Sequence, residues 1–269
     1  SVSSQDTQPG ALAFNADGTK MFIAGNQGND IGEYTLSTAF DVSTASFVDS
    51  FSVNSQETYP TGVAFNTDGT RMFVNGEAAN TVFQYALSTG FDVSTASYTQ
   101  GFSTAAQDSA SQGVTFNTDG TKMFVTGESN KKVSEYTLSS GFDVSTASFV
   151  DGFSIASQDD QPKDTQFNSD GTEMFVLTRN NNKSVYKYNL TTGFDVSTAS
   201  YSSVSFSVNS KEANPQGLAF SADGSKMYVC GNEGQDVNEY ATSTTVTNST
   251  TVKAGQAISA TTINMKDLT

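Results

Sequence analysis

This chain of 269 residues has no histidine, no tryptophan, a single cysteine and only four prolines. Without histidine there is no neutral-pH imidazole, so a Ser-His-Asp triad is excluded and a zinc site is not expected. One cysteine, Cys230, rules out an internal disulfide. Its place in the apolar run Met227-Tyr228-Val229-Cys230 predicts a buried structural thiol. Cations are scarce: 13 Lys and Arg stand against 28 Asp and Glu, for a net charge of −15. A surface so acidic argues against nucleic acid, whose phosphates require cationic neighbours, and against anionic lipid. It favours a salty extracellular setting, where screening weakens self-repulsion. No run reaches the ~18 apolar residues of a membrane span, so no membrane insertion is expected. No signal peptide is visible. A first residue Ser rather than Met suggests a processed chain or part of a longer one.

Helical periodicity is missing too. What replaces it is a repeat: Asp-Gly followed by Thr or Ser at Asp17-Gly18, Asp68-Gly69, Asp119-Gly120, Asp170-Gly171 and Asp223-Gly224, at intervals of 51, 51, 51 and 53 residues. In the second copy the apolar runs are Gly62 to Phe65, Arg71 to Val74, Thr81 to Leu87 and Ser97 to Ser103, separated by Gly, Asn, Asp and Ser. Such runs read as strands, and Asp-Gly between the first two reads as a tight hairpin. Each unit is then a four-stranded antiparallel meander, A-B-C-D, of the size of a β-propeller blade. The expected fold is all-β, a five-bladed β-propeller over residues 1–252, with a β-solenoid as the alternative.

The 20 Phe and 10 Tyr supply the core. Phe14, Phe65, Phe116, Phe167 and Phe220 end strand A, and Met-Phe or Met-Tyr opens strand B in all five copies. The element Phe-Asp-Val-Ser-Thr-Ala-Ser begins at Phe40, Phe91, Phe142 and Phe194 and is missing from the fifth copy. The last blade therefore needs an outer strand from elsewhere, either the N-terminal residues, which match the end of a D strand, or Thr244 to Val252. Residues 253–269 fit no repeat and are expected to be a linker or a segment that docks on neighbouring surface or virion subunits.

Units of the form Phe-Asn-x-Asp-Gly-Thr-Lys-Met-Phe-Val, a variable loop, then Val-x-x-Tyr-x-Leu-Ser resemble the bacterial and phage β-propeller repeats related to the YVTN and lactonase-like propellers, over about residues 1 to 241. The resemblance implies the fold. Its members serve as adhesins, surface-layer parts, lectins and enzymes, so it does not imply one activity. The His-Asp and Trp-Asp pairs of WD40 blades are missing, and the metal ligands of lactonase-like enzymes have no counterpart pattern.

The copies differ most in the B–C loops, and the candidate ligand-binding residues lie there: Asn26, Asn29 and Asp30; Glu77 and Asn80; Glu128, Asn130 and Lys131; Arg179, Asn181 and Lys183; Asn232, Glu233 and Gln235. Amide-rich loops suit sugar hydroxyls or a protein surface. The same face carries an acid in each D–A loop: Asp6, Glu57, Asp108, Asp159 and Glu212. Asp41, Asp92, Asp143 and Asp195, each followed by Val-Ser-Thr, read as local backbone caps rather than metal ligands. Strand A of the fourth unit departs from the rest, placing Lys163, Asp164 and Gln166 at the central channel.

The expected function is a non-catalytic binding or structural module, extracellular, on a cell surface or on a phage virion, recognising a glycan or a neighbouring protein and needing no cofactor or metal. The alternative is a five-bladed glycoside hydrolase with a carboxylate site at the channel, where Asp164 would need a second acid. A lactonase-like metal hydrolase fails for want of inner-strand ligands.

Overall fold

In the computed structural model, which describes residues 1–246 and 261–264, the repeats form the blades of a five-bladed β-propeller. Blade 1 comprises strands A to D at Pro9–Phe14, Lys20–Gly25, Asp30–Leu36 and Ala45–Ser52. Blade 2 runs through Pro60–Phe65, Arg71–Gly76, Thr81–Leu87 and Ala96–Ser103. Blade 3 holds Ser111–Phe116, Lys122–Gly127, Lys132–Leu138 and Ala147–Ser154. Blade 4 holds Pro162–Phe167, Glu173–Thr178, Ser184–Leu190 and Ala199–Ser207. Blade 5 has Pro215–Phe220, Lys226–Gly231 and Asp236–Ala241, three strands among the described residues. The A strands contact one another around the axis, and the A strand of blade 5 packs on that of blade 1, which closes the ring.

The Asp-Gly hairpins form as the motif demands. Gly18 sits at φ 71°, a left-handed conformation, and a Cβ there would lie 2.2 Å from the Phe40 ring. Asp17 Oδ1 accepts from Thr19 N (3.0 Å) and Asn15 Oδ1 from Lys20 N (2.9 Å), so the motif's polar residues satisfy its own backbone. The Asp41, Asp92, Asp143 and Asp195 side chains cap short 3-10 turns at Val42–Thr44, Val93–Thr95, Val144–Thr146 and Val196–Thr198. The Ser43 hydroxyl and amide hold the exposed Asp41 carboxyl below its ordinary pKa. These aspartates are backbone caps.

The apolar core is divided into five inter-blade clusters. Phe22, Ile31 and Val53 meet Met72, Val74 and Tyr85 between blades 1 and 2, and Val2, Leu12 and Ile23 meet Tyr228 and Cys230 between blades 1 and 5. Cys230 is fully buried.

Polar latches join successive blades at the opposite face. Lys20 Nζ binds Glu33 Oε1 (2.6 Å) and donates to Phe91 O (2.7 Å) of the next blade, while Glu33 Oε2 accepts from Val93 N (3.0 Å). Lys122, Glu135, Phe194 and Val196 repeat the arrangement from blade 3 to blade 4. Arg71 and Gln84 do so from blade 2 to blade 3, reaching Phe142 O and Val144 N. Lys226 Nζ and Tyr228 Oη both donate to Phe40 O, fastening blade 5 to blade 1. Blade 5 has no Phe-Asp-Val-Ser-Thr element to grip, and there blade 4 exchanges its charges: Glu173 takes the lysine's place, Lys187 the glutamate's, and the two pair at 2.5 Å.

The N-terminus takes part in closure. Val2 N donates to Gln235 O (3.0 Å), the same bond that Val53 N makes to Asn29 O after a complete D strand. Thr244 lies in Ser243–Val246, which pairs with Thr261–Asn264 instead of with blade 5. The rest of the alternative closing segment, 247–252, and most of the expected tail 253–269 lie outside the described residues. Among the described residues no helix is long and apolar enough to cross a membrane.

The latch predicts a graded response. Glu135→Ala removes the acceptor of Val196 N and the partner of the partly exposed Lys122, and should cost about 2 kcal/mol. Glu135→Gln keeps the acceptor, as Gln84 does in blade 2, and should cost less than half as much. Urea denaturation followed by circular dichroism measures both; equal losses would refute this account of the latch.

Candidate active site at the channel mouth

Two positions in each blade surround the axis at the B–C loop face. The second residue of strand A is Gly10, Thr61, Gln112, Lys163 and Gln216 in blades 1 to 5, and the first B–C loop residue is Asn26, Glu77, Glu128, Arg179 and Asn232. On blades 2 to 4 they join into one network. Gln112 Nε2 donates to Glu77 Oε2 (3.1 Å) and Gln112 Oε1 accepts from Lys163 Nζ (3.2 Å). Lys163 also pairs closely with Glu128 Oε2, while Glu128 Oε1 meets Arg179 Nη2 at 3.5 Å. Arg179 Nε donates to Gln161 Oε1 (3.4 Å). Gln112 and Lys163 are buried, and burial lowers the lysine pKa although Glu128 supports its charged form.

Glu77 and Arg179, from blades 2 and 4, line a single open hollow of about 420 Å³ together with Tyr59 and Ala78. A carboxylate able to take a proton and a guanidinium able to stabilise an oxyanion thus share one solvent-open space. The opposite mouth is a separate cavity of about 230 Å³, lined by Leu12, Phe14, Val63, Phe65, Phe220 and Gln166 among others, with no titratable side chain.

The three channel candidates therefore separate. Lys163 belongs to the B–C loop mouth and Gln166 to the apolar one. Asp164 lies between them, fully buried where its four counterparts are Ala11, Gly62, Gly113 and Gly217. Its carboxylate accepts from Leu218 N (2.9 Å) of blade 5 and from Thr165 N (2.8 Å). Burial outweighs these bonds and raises its pKa to about 7. Among the described residues no second carboxylate joins it, and the glycoside hydrolase reading lapses with that.

The remaining loop candidates do not converge. Asn29, Asn80, Lys131, Lys183 and Gln235 adopt left-handed φ of 45–54° at the loop ends. Their carbonyls accept from Val53, Thr104, Ile155, Val208 and Val2. Asp30 opens strand C, and burial raises its carboxyl pKa. Asn130 donates its amide to Gln107 O, Glu233 N donates to Glu212, and Asn181 is exposed. Asn26 and Asn232 each keep a buried amide oxygen without a donor among the described residues.

The D–A loop acids are buried and bound to backbone. Glu57 accepts from Tyr59 N, Ala78 N and Ala79 N, and Asp6, Asp108 and Glu212 act likewise. They position the B–C loops. The B–C loop of blade 4 has one extra residue, and there Asp159 Oδ1 accepts from Gln161 N while Oδ2 has no partner among the described residues. Among the described residues no three acids or cysteines converge as a metal group. The sequence reading missed Gln112 and Tyr59; comparing the second strand-A residue across all five units would have singled out Gln112 beside Lys163.

No family model and no curated protein sequence matches the chain. Solved structures do. A protein of Bacteroides uniformis described as a "putative 6-phosphogluconolactonase" is 13% identical with a TM-score of 0.54, over 87% of this chain and 66% of that one. A functionally unknown protein of Desulfotomaculum acetoxidans is 12% identical, TM-score 0.54, over 87% and 82%. Hydrazine synthase of Kuenenia stuttgartiensis is 14% identical, TM-score 0.52, over 88% and 63%. These likenesses show the propeller fold. The chain spans just under two thirds of the length of the Bacteroides protein. The expectation of a non-catalytic surface module and of a protein that is not an enzyme is corrected by the Bacteroides protein, which has this fold and carries an enzyme's name.

Asp164 gives the site a pH signature. Its folded pKa of about 7 lies above the ordinary 3.8, so the stability it contributes is present below about pH 4 and is lost as pH rises through 7. Asp164→Asn should gain stability relative to the native chain between pH 5 and pH 8. Urea midpoints at the two values test this, and an unchanged difference would show that the carboxyl is ionised throughout.

Proposed function

We propose that the protein is a hydrolase that opens a cyclic ester at the channel mouth. The observation that carries this reading is the placing of Glu77 and Arg179 on one hollow, tied together through the chain Gln112–Lys163–Glu128. Glu77 takes a proton from the attacking water, whose oxygen bonds to the lactone carbonyl carbon. Arg179 stabilises the negative charge that develops on the carbonyl oxygen. The ring C–O bond then breaks, the leaving alkoxide collects the proton from Glu77, and the product is a hydroxy acid. Gln112 holds one oxygen of Glu77, which fixes the carboxylate's orientation, and Glu128 holds the guanidinium.

The repeat's resemblance to lactonase-like propellers and the name of the Bacteroides protein of the same fold support the reaction class. The mechanism itself rests on this chain's own residues and routes no step through a metal.

Acid release from sugar lactones, followed by pH-stat above the spontaneous rate, tests the proposal. Glu77→Gln should lower kcat by about 100- to 10,000-fold, the range for a general base. Arg179→Met should lower it by about 100- to 1,000-fold. Release at the native rate in both variants would place any activity elsewhere.

A further inference from the structure

The hollow also specifies the charge of what enters it. Within the network Glu77 and Glu128 balance Lys163 and Arg179, so no cation is in excess. Lys163 is buried and committed to Glu128 and Gln112. Among the described residues Arg179 is the one cation on the hollow's wall, and Glu128 already offsets it. A second anion on the substrate would meet Glu77 without an unshared positive charge, on a chain of net charge −15.

A further feature favours a sugar ring. Tyr59 lines the hollow and is exposed, whereas the equivalent D–A loop positions are Gln8, Ala110, Gln161 and Asn214. An exposed ring there offers an apolar face to the C–H side of a sugar ring.

From these observations, and resting on the lactone-hydrolase reading, we infer that the substrate is an uncharged sugar lactone stacked on Tyr59, not its phosphorylated form. The phosphate that appears in the name of the Bacteroides protein has no counterpart site at this hollow.

The test compares two aldonolactones that differ only in a terminal phosphate. At low ionic strength kcat/KM for the uncharged lactone should be at least about tenfold higher, and the gap should narrow with added salt as the repulsion is screened. Tyr59→Ala should raise KM for the uncharged lactone about tenfold with a smaller change in kcat. Preference for the phosphorylated lactone would overturn the inference while leaving the hydrolase reading intact. Hydrolysis of neither would end that reading, and binding then decides the inference separately. Calorimetric titration with the matching uncharged lactam should show binding that Tyr59→Ala weakens. No binding, or tighter binding of the phosphorylated lactam, would overturn it.

Discussion

Everything in this propeller depends on how closely five A strands approach the axis. A Cβ on Gly62 would lie 2.9 Å from Gln112 O, one on Gly113 2.9 Å from Asp164 Cα, and one on Gly217 2.8 Å from Ala11 Cα. Contacts this short leave no room for a Cβ at that layer on blades 2, 3 and 5, and blade 1 has only alanine there. Blade 4 alone breaks the rule, and Asp164 enters the space that the small residues of the other blades leave. It is tolerated because two backbone amides bind its carboxylate and the opposing position, Gly113, has no side chain. The axis is thereby divided. A charge-balanced, amide-rich mouth opens on one side and an aromatic cavity on the other.

The same closeness explains why the network forms on blades 2 to 4. One residue above the packed layer, the blades spread enough to admit Gln112 and Lys163, which point no farther than the preceding blade's loop. Gln112 reaches Glu77 and Lys163 reaches Glu128, each the first B–C loop residue of the preceding blade, whereas Thr61 donates to Ser111 O and Gln112 O and Gln216 to Asn214 Oδ1. Blade 1 places glycine at that position, so blades 1 and 5 cannot repeat the pairing, and Asn26 lies over Gly10 instead. A near-symmetric ring thus carries a one-sided site, produced by a few substitutions at one column of the repeat.

How far this was legible depends on the range of the interactions. The Asn-x-Asp-Gly-Thr turns and the Asp-Val-Ser-Thr caps are settled within five or six residues, and a sequence pattern suffices to read them. The blade count follows from the repeat, since each unit buries its aromatics only against the next. The site is different. Lys163 meets Gln112 from 51 residues away and Glu128 from 35, and nothing within one unit tells which loop a strand-A side chain will touch. Reading the loops blade by blade therefore found Glu77, Glu128 and Arg179 as isolated polar residues, and Lys163 as a channel residue, without joining them. Asp164 was legible as an exception but not as a buried one, because the width of the axis is a property of the closed ring.

The departures in blade 4 occur at both faces, and they have different physical origins. At the latch face Glu173 and Lys187 exchange signs relative to Lys20 and Glu33, at the single junction where the following blade has no Phe-Asp-Val-Ser-Thr element. That change accompanies the loss of that element from the fifth repeat and keeps a buried charge matched. At the mouth, Lys163, Arg179 and the extra loop residue answer no such defect: Gly, Thr or Gln at the second position would close the ring equally well, as the other blades demonstrate. Burying a lysine there lowers its pKa and requires a carboxylate beside it, a cost that ring geometry does not impose. A cost without a structural need is what the lactone site proposed above blades 2 to 4 accounts for.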